Sequence, residues 1–289
     1  MEAEIVFFSV INLKLSILVL YRTVLHKNNQ IFAFYLMKTL FVGQNSINVK
    51  VIDSTNSYAS ELLRNTKPPE GTVIYSFEQQ NGRGQRGNKW ESEPNKNGAF
   101  SFIFYPSFLQ AEQQFILNKI TSLAVADVMA ELLKGSDKMQ EIKIKWPNDV
   151  YIGTQKIAGI LIENTLREKN IQHSIIGIGI NVNQKTFGDN LNATSLTLLT
   201  GKEFELVYVL KRLCAFIEAR YLQLKSNKSE YLNVAYLQRL YKLKEWHSYK
   251  SADQVFEGKI IGISAIGKLQ VELRMGQLQE FDLKEIQFL

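Results

Sequence analysis

A chain of 289 residues, of which 45% are hydrophobic and 21% charged, has the composition of a folded globular protein and excludes disorder over most of its length. Its one cysteine excludes an intrachain disulfide and a cysteine-based metal site, and indicates a reducing compartment such as the cytoplasm. The net charge of +6 mildly favours an anionic partner.

The chain begins with a strongly apolar segment at residues 5–25, which Lys14 and Arg22 interrupt. It lacks the basic start and the small-residue cleavage site of a signal peptide, and Lys14 would lie near the centre of a membrane span. Three interpretations stay open: a dispensable extension upstream of a true start at Met37, a peripheral helix, or a membrane anchor. We expect residues 1–36 to be an extension outside the globular fold, without membrane insertion.

From Met37 onward, strand and helix patterns mix without strict alternation, which predicts an α+β fold. Alternating or apolar runs predict strands at residues 47–53, 71–79, 99–106, 141–152, 156–164 and 174–183. Helical spacing of apolar residues predicts helices at residues 54–65, 110–134, 203–225 and 229–242. The first helix is expected to have Ser54 or Thr55 as its N-cap, and the second to end at Gly135.

The pattern changes near residue 243, where short alternating runs separated by glycines begin. Such runs are typical of a small antiparallel barrel. We therefore expect two domains, at residues 37–242 and 243–289.

The most unusual stretch is "EQQNGRGQRGNKW" at residues 78–90, which combines glycines with arginines. Glycine lets backbone N–H groups approach an anion, and arginine supplies paired donors that match phosphate oxygens. The stretch is neither a Walker loop nor a dinucleotide-binding fingerprint. It predicts a loop that stays mobile until an anionic ligand orders it, although a surface loop or an RNA contact would also fit the composition.

A second stretch, "KWPNDVYIGTQKIAGILIEN" at residues 145–164, predicts a hairpin whose return strand starts at Lys156. Strict alternation along that strand would put Lys156 on one face with Ala158, Ile160 and Ile162. A lysine on such an apolar face is expected to point inward, toward a ligand. Gly159 removes bulk where something could approach the backbone.

Two further stretches carry polar side chains at strand ends. In "DSTNSY", the residues Ser54, Thr55 and Asn56 suit either a helix cap or a small polar head group. In "GIGINVN", the glycines would leave room for a flat ligand whose edge Asn181 could contact.

No arrangement of residues suggests a covalent nucleophile. The histidines His26, His173 and His247 lack metal-ligand spacing, and no Ser/His/Asp triad is evident. Cys214 lies in an apolar helical run, so we expect a buried thiol. The sequence therefore favours chemistry by charge stabilisation and positioning.

Taken in order, the four stretches resemble those of the biotin–protein ligase family, and the likeness covers about residues 38–289. "GRGQRGNKW" looks like the family's glycine-arginine loop, and "KWPNDVYIGTQKIAGILIE" like its second signature, which contains the active-site lysine. "DSTN" resembles its head-group site and "GIGINVN" its adenylate-side strand. The resemblance implies a mixed sheet flanked by helices, related to class II aminoacyl-tRNA synthetases, followed by a small SH3-like barrel.

The resemblance also implies roles for individual residues, with Lys156 and Arg83 as the catalytic cations. The residues implied to bind biotin are Ser54, Thr55, Asn56, Gln79, Arg83, Gly84, Gln85 and Lys156. The residues implied to contact ATP or the adenylate are Gly82, Arg86, Trp90, Asn148, Asp149 and Asn181. Many relatives carry arginine where this chain has Gln85, which puts the strength of adenylate binding in question.

The implied reaction has two steps: biotin and ATP form biotinyl-AMP, and a lysine of a biotin carboxyl carrier protein then takes the biotin. ATP and biotin are substrates, Mg²⁺ is expected with the triphosphate, and no metal site is built from side chains. Some relatives carry an N-terminal DNA-binding domain. Residues 1–52 do not have the pattern of one, so we expect no DNA binding; a homodimer is possible.

Other functions would produce some of these features. A lipoate ligase or octanoyltransferase shares the fold, although the "GRGQRGNKW" loop disfavours it. A basic RNA-binding protein could use "RGQRG" with nearby aromatic residues. A membrane-tethered adaptor would explain residues 5–25.

Overall fold

The computed structural model describes residues 39–188 and 191–289, without the side chain of Arg86. The predicted extension at residues 1–36 lies outside this range. Within it, no helix is both long and apolar enough to cross a membrane.

Strands and helices alternate irregularly along the chain. The strands are β1 (Ser46–Asn48), β2 (Val73–Ser76), β3 (Gly82–Arg83), β4 (Lys89–Trp90), β5 (Gly98–Phe104), β6 (Ile142–Lys145), β7 (Asp149–Ile152), β8 (Gln155–Arg167), β9 (Asn170–Ile180), β10 (Trp246–Ser251), β11 (Gln254–Ile263), β12 (Leu269–Leu273), β13 (Leu278–Phe281) and β14 (Gln287–Phe288). The α-helices are α1 (Thr55–Asn65), α2 (Phe115–Leu132), α3 (Leu196–Thr200), α4 (Leu206–Lys225) and α5 (Ser229–Gln238).

The first sheet has the strand order β1-β2-β5-β9-β8-β7-β6, with one parallel pair, β1–β2, among antiparallel ones. Neighbouring residues of the central strands face opposite sides, so Phe102 and Ile103 belong to separate apolar clusters. Helix α1 covers one side with Ala59, and α2 and α4 cover the other. This mixed sheet flanked by helices confirms the predicted α+β fold.

Two strand predictions need correction. The strand expected at residues 47–53 ends at Asn48, because the chain then departs from the regular ladder and contacts β2 only through single bonds, such as Val49 N to Tyr75 O at 3.0 Å. The run expected as one strand at residues 141–152 is itself a hairpin, because β6 and β7 pair with each other on either side of the Trp146–Asn148 turn.

The hairpin formed by β7 and β8 agrees with prediction, and so does burial of β9 on both faces. The second long helix is shorter than expected: Ala111–Gln113 form a 3₁₀ turn before α2 begins at Phe115.

The chain after α5 folds into a second, antiparallel sheet with the strand order β13-β12-β11-β10-β14, as expected for an SH3-like barrel. Its interior contains Tyr249, Ile260 and Phe281, which are nearly inaccessible to solvent. Trp146 joins the sheets, because its indole N–H donates to the Gly267 carbonyl at 2.8 Å. We keep the domain division at residue 243 as a proposal.

Candidate active site

A cavity of about 210 Å³ opens above β8 and β9, between the start of α1 and the β3–β4 hairpin. Eleven of the residues predicted for a site line it: Ser54, Thr55, Asn56, Gln79, Arg83, Gly84, Gln85, Trp90, Asn148, Asp149 and Lys156. Residues that lie 100 positions apart in the sequence therefore share one cavity.

Three predicted residues are not among those described as lining it. Gly82 permits the hairpin, because an added Cβ would lie 2.2 Å from the Trp90 carbonyl oxygen. Asn181 is buried just after β9, where its N–H donates to Ile157 O at 2.9 Å. The side chain of Arg86 is not among those that the structure describes. The contacts predicted for these three residues stay predictions.

The start of α1 forms one end of the cavity. Ser54 is the N-cap, as expected for a serine at a strand-to-helix junction, and its hydroxyl accepts from the Ser57 N–H at 3.4 Å. The Thr55 N–H donates to Gln79 Oε1 at 3.0 Å. These bonds hold the side chains of Ser54 and Thr55 and the side-chain amide of Gln79 next to one another.

Asn56 braces α1 against the sheet. Its side-chain nitrogen donates to Leu161 O at 3.3 Å and to Glu163 Oε2 at 2.8 Å, and its oxygen accepts from Ser101 Oγ at 2.6 Å. A Cβ on Gly177 would lie 2.3 Å from that oxygen. Gly177 thus makes room for Asn56 and also lines the cavity, and the flat ligand expected from the sequence stays a prediction.

Trp90 occupies the space above two other glycines. A Cβ on Gly179 would lie 2.3 Å from its Cε2 atom, and one on Gly159 would lie 3.2 Å from its Cζ3 atom. The indole nitrogen is buried and has no hydrogen-bond partner among the described residues. A buried donor without a partner costs free energy, and an acceptor atom of a ligand would remove that cost by binding this N–H.

Lys156 points into the cavity, but strict alternation along β8 does not explain this direction. It pairs with Tyr151, but Ala158 pairs with Val150, so Ile157 is an extra residue in a β-bulge. The bulge therefore puts Lys156 on the opposite face of the sheet from the one that strict alternation would give. Lys156 lies beside Gly159, whose added Cβ would be 3.2 Å from the lysine Nζ, and not on the face of Ile160 where strict alternation would have put it.

The Lys156 ammonium has two neighbours inside the cavity. It forms an ion pair with Asp149 at 2.7 Å, and it lies 5.8 Å from the centre of the Trp90 ring. The hairpin brings Asp149 there, because β7 and β8 are joined by a tight turn. The lysine is therefore partly neutralised before any ligand arrives.

The backbone of Lys156 is held from the other side by the segment 192–194. Its N–H donates to Asn192 O at 3.0 Å, and its carbonyl accepts from the Thr194 N–H at 2.9 Å. The side chain of Asn192 also donates to Thr154 O at 3.0 Å. These bonds fix the strand on both sides of the bulge.

Arg83 extends from the β3–β4 hairpin to β8. Its guanidinium forms an ion pair with Glu163 at 2.6 Å and donates to Ser57 Oγ at 3.3 Å. Sequence reasoning missed Glu163, although it was the only carboxylate in the run "KIAGILIEN". It also missed Asn88, Lys89 and Lys284, which line the cavity from the hairpin and the second sheet.

The rest of the "KWPND" turn has a structural role beside the site. Asn148 fastens the turn to β8, because its side chain donates to Ile160 O at 2.6 Å and its carbonyl accepts from the Ile160 N–H at 2.9 Å. Lys145 lies 3.4 Å from the Tyr151 hydroxyl. Burial lowers the pKa of Lys145 and raises the pKa of Tyr151 to about 12.

Comparison with known proteins identifies the family. Residues 48–181 match the biotin/lipoate A/B protein ligase family. The Bifunctional ligase/repressor BirA of Bacillus spizizenii is 31% identical over 255 residues, which cover 83% of this chain and 73% of the relative. The chain belongs to this ligase family.

Two further relatives agree with this assignment. The biotin–[acetyl-CoA-carboxylase] ligase of Paracoccus denitrificans is 33% identical over 132 residues, which cover 45% of this chain and 51% of that protein. The solved structure of the biotin protein ligase from Aquifex aeolicus in complex with biotin and ATP has a TM-score of 0.69 at 28% identity, and the match covers 84% of this chain and 98% of that chain.

Proposed function

We propose that this chain is an ATP-dependent biotin protein ligase. It forms biotinyl-AMP and pyrophosphate from biotin and ATP, and then transfers biotin to a lysine of a carrier-protein domain. The observation that carries this proposal is the shared cavity, in which a polar head site, a glycine-arginine hairpin and Lys156 meet in a member of the ligase family.

The first step joins two anions, so its barrier includes charge repulsion. A carboxylate oxygen of biotin bonds to the α-phosphorus, and the electron pair of the breaking P–O bond leaves with pyrophosphate. Lys156 and Arg83 lie in the same cavity and would offset the developing charge. The pair of Lys156 with Asp149 is partly exposed, and such pairs contribute only about 0–1 kcal/mol, so a substrate oxygen can replace Asp149. Arg83 has N–H groups besides those bonded to Glu163 and Ser57, so it can contact substrate while Glu163 still holds it.

The start of α1 supplies the polar groups for the ureido ring of biotin. Ser54 and Thr55 would contact it directly with Gln79, while Asn56 has both amide hydrogens engaged by the protein. Its carbonyl oxygen retains one lone pair for a ligand, because Ser101 is its one hydrogen-bond donor among the described residues. Gly84 and Gln85 would cover the ring from the hairpin side.

The adenylate would lie toward Trp90, Asn148 and Asp149, with Gly82, Arg86 and Asn181 as further predicted contacts. The indole N–H of Trp90, which has no partner in the described part of the chain, supports this assignment. The cavity of about 210 Å³ is smaller than the range of roughly 300–1,000 Å³ that is usual for ligand sites. Admission of both substrates therefore requires the β3–β4 hairpin to move outward, and its return would exclude water from the mixed anhydride.

We propose that Mg²⁺ binds together with ATP. Among the described residues, no group of three or more acidic, histidine or cysteine side chains is placed to hold a metal ion. Triphosphate oxygens and water can supply most ligands of Mg²⁺, and a carboxylate such as Asp149 could add one.

The second step needs a carrier-protein lysine, whose amine attacks the acyl carbon and releases AMP. We propose a biotin carboxyl carrier domain as this partner, a cytoplasmic location, and no DNA binding. A homodimer also stays a proposal. The carrier domain rests on the family, and the other three rest on the sequence pattern alone.

The decisive experiment is ATP–pyrophosphate exchange that depends on biotin, measured for the native chain, for Lys156→Ala and for Lys134→Ala, an exposed lysine outside the cavity. We expect exchange in the native chain and in Lys134→Ala, and a loss of at least about 100-fold in Lys156→Ala, as for removal of a charge-stabilising donor. Exchange that depends on lipoate or octanoate instead of biotin would favour the sister activity. No exchange with any of these acids would refute the ligase assignment.

A further inference from the structure

The carboxylate of Glu163 joins three separate parts of the proposed site. It lies on β8; its Oε1 accepts from Arg83 of the β3–β4 hairpin at 2.6 Å, and its Oε2 accepts from Asn56 of α1 at 2.8 Å. Glu163 is not among the residues lining the cavity, whereas both partners are. It can therefore influence substrate only through them.

Arg83 and Asn56 each depend on Glu163 to hold their side chains in one orientation. The other described hydrogen bond of Arg83 goes to Ser57 Oγ at 3.3 Å, which is longer and not charge-balanced. The other acceptor for the Asn56 amide is Leu161 O, also at 3.3 Å. The two short bonds are those to Glu163, and they hold the Arg83 side chain and the start of α1 against the same strand.

Stability alone does not account for this arrangement. The side chains of Arg83 and Glu163 are 47% and 34% exposed, and ion pairs with such exposure add little to folding. The bridging geometry does restrict where the guanidinium can lie. A glycine-rich segment such as 82–87 otherwise gives an arginine many orientations.

We propose that Glu163 is a positioning residue for biotin activation, an inference that rests on the proposed function. It holds the guanidinium of Arg83 at the cavity and keeps Asn56 oriented beneath the ring site before substrate binds. Without the carboxylate, only a fraction of molecules would present Arg83 correctly, and apparent affinity falls by that fraction. Once substrates bind and order the hairpin, the chemical step proceeds as before.

Glu163→Gln should show a specific kinetic pattern. We expect the KM for biotin to rise about tenfold, equivalent to about 1.4 kcal/mol, while kcat changes less than about threefold. Biotin binding measured by calorimetry should weaken by the same factor. Glu163→Asp, whose shorter side chain cannot reach both partners, should give a smaller rise in KM.

The matched control is Glu257→Gln on β11. Glu257 forms an arginine ion pair of similar length, 2.9 Å to Arg274, on an exposed part of the second sheet, and does not line the cavity. Its loss should leave the KM for biotin unchanged. A double-mutant cycle with Arg83→Met then tests whether Glu163 acts through the arginine.

The cycle supports the proposal if Glu163→Gln raises the biotin KM much less in the Arg83→Met background than in the native one. Equal effects in both backgrounds would overturn it, as would a fall in kcat at constant KM. A lower melting temperature with unchanged KM, in either Glu163 variant, would show a structural role only and also overturn it. Lack of exchange by the native chain would instead refute the proposed function, so the two failures are distinguishable.

Discussion

The position of Trp90 gives a sharp prediction at Gly179. An alanine there would place its Cβ 2.3 Å from the indole Cε2, whereas carbon atoms pack at about 3.5–4.0 Å, so the ring must move by roughly 1.2–1.7 Å. Gly179 lies in β9 between β5 and β8, where the backbone is held by pairs on both sides. The displacement therefore falls on the indole and the short β3–β4 hairpin that carries it.

The expected consequence is a large loss of activity with a modest loss of stability. Overpacking costs about 1–3 kcal/mol in a closed core, and a half-buried ring on a two-stranded hairpin should relieve most of that. A misplacement of about 1 Å in a substrate-positioning group can cost on the order of 100-fold in rate. We therefore expect Gly179→Ala to lose about 100-fold in biotin-dependent exchange and to unfold at nearly the native denaturant concentration.

The natural comparison is Gly188→Ala, because a Cβ there meets nothing within 4 Å and the backbone is not left-handed. This variant should keep native exchange activity. The emission maximum of tryptophan should shift in Gly179→Ala but not in Gly188→Ala, since the ring is displaced only in the first. Full exchange activity in Gly179→Ala would refute the assignment of Trp90 to the substrate site.

Three further predictions address other parts of the molecule. Gln85→Arg adds a cation to the cavity wall and should slow release of labelled biotinyl-AMP several-fold, with Gln85→Glu acting in the opposite direction; equal release rates would contradict this. Trp146→Phe removes the bond to Gly267 O and should lower the free energy of unfolding by about 1–2 kcal/mol in urea; an unchanged midpoint would show that the bond is not stabilising. Burial raises the pKa of Cys214 to about 12, so its reactive thiolate stays scarce in the folded chain at pH 8; modification by iodoacetamide should require urea, and rapid labelling of native protein would contradict the burial.

Local signals in the sequence were sufficient for the four longer helices, although not for α3, and for most of the residues that meet in the cavity. Ser54 could be predicted as an N-cap because a serine hydroxyl bonds the free N–H groups of the next turn. Lys156 could be predicted as a site residue, but for an incomplete reason. Its orientation depends on the bulge at Ile157, and a bulge is set by pairing between strands.

The same limit explains the other differences. The glycines of β9 were expected to make room for ligand, and nothing near them in the sequence indicates that Trp90 and Asn56 pack there. Glu163 was missed because its partners, Arg83 and Asn56, are 80 and 107 residues away in the chain. The sequence showed which types of residue form the site, whereas contacts between residues distant in the chain became known only from the fold.

The bulge at Ile157 makes the direction of the active lysine depend on how β8 pairs with β7 more than on residue identity. If the two strands paired regularly with Ile157 retained, Lys156 would lie opposite Ile152 and its ammonium would turn toward the apolar helices beneath the sheet. Conservative exchanges at the same positions would leave its direction intact. In this short interval, a one-residue slip of the strand register should inactivate the protein even where a change of side chain is tolerated.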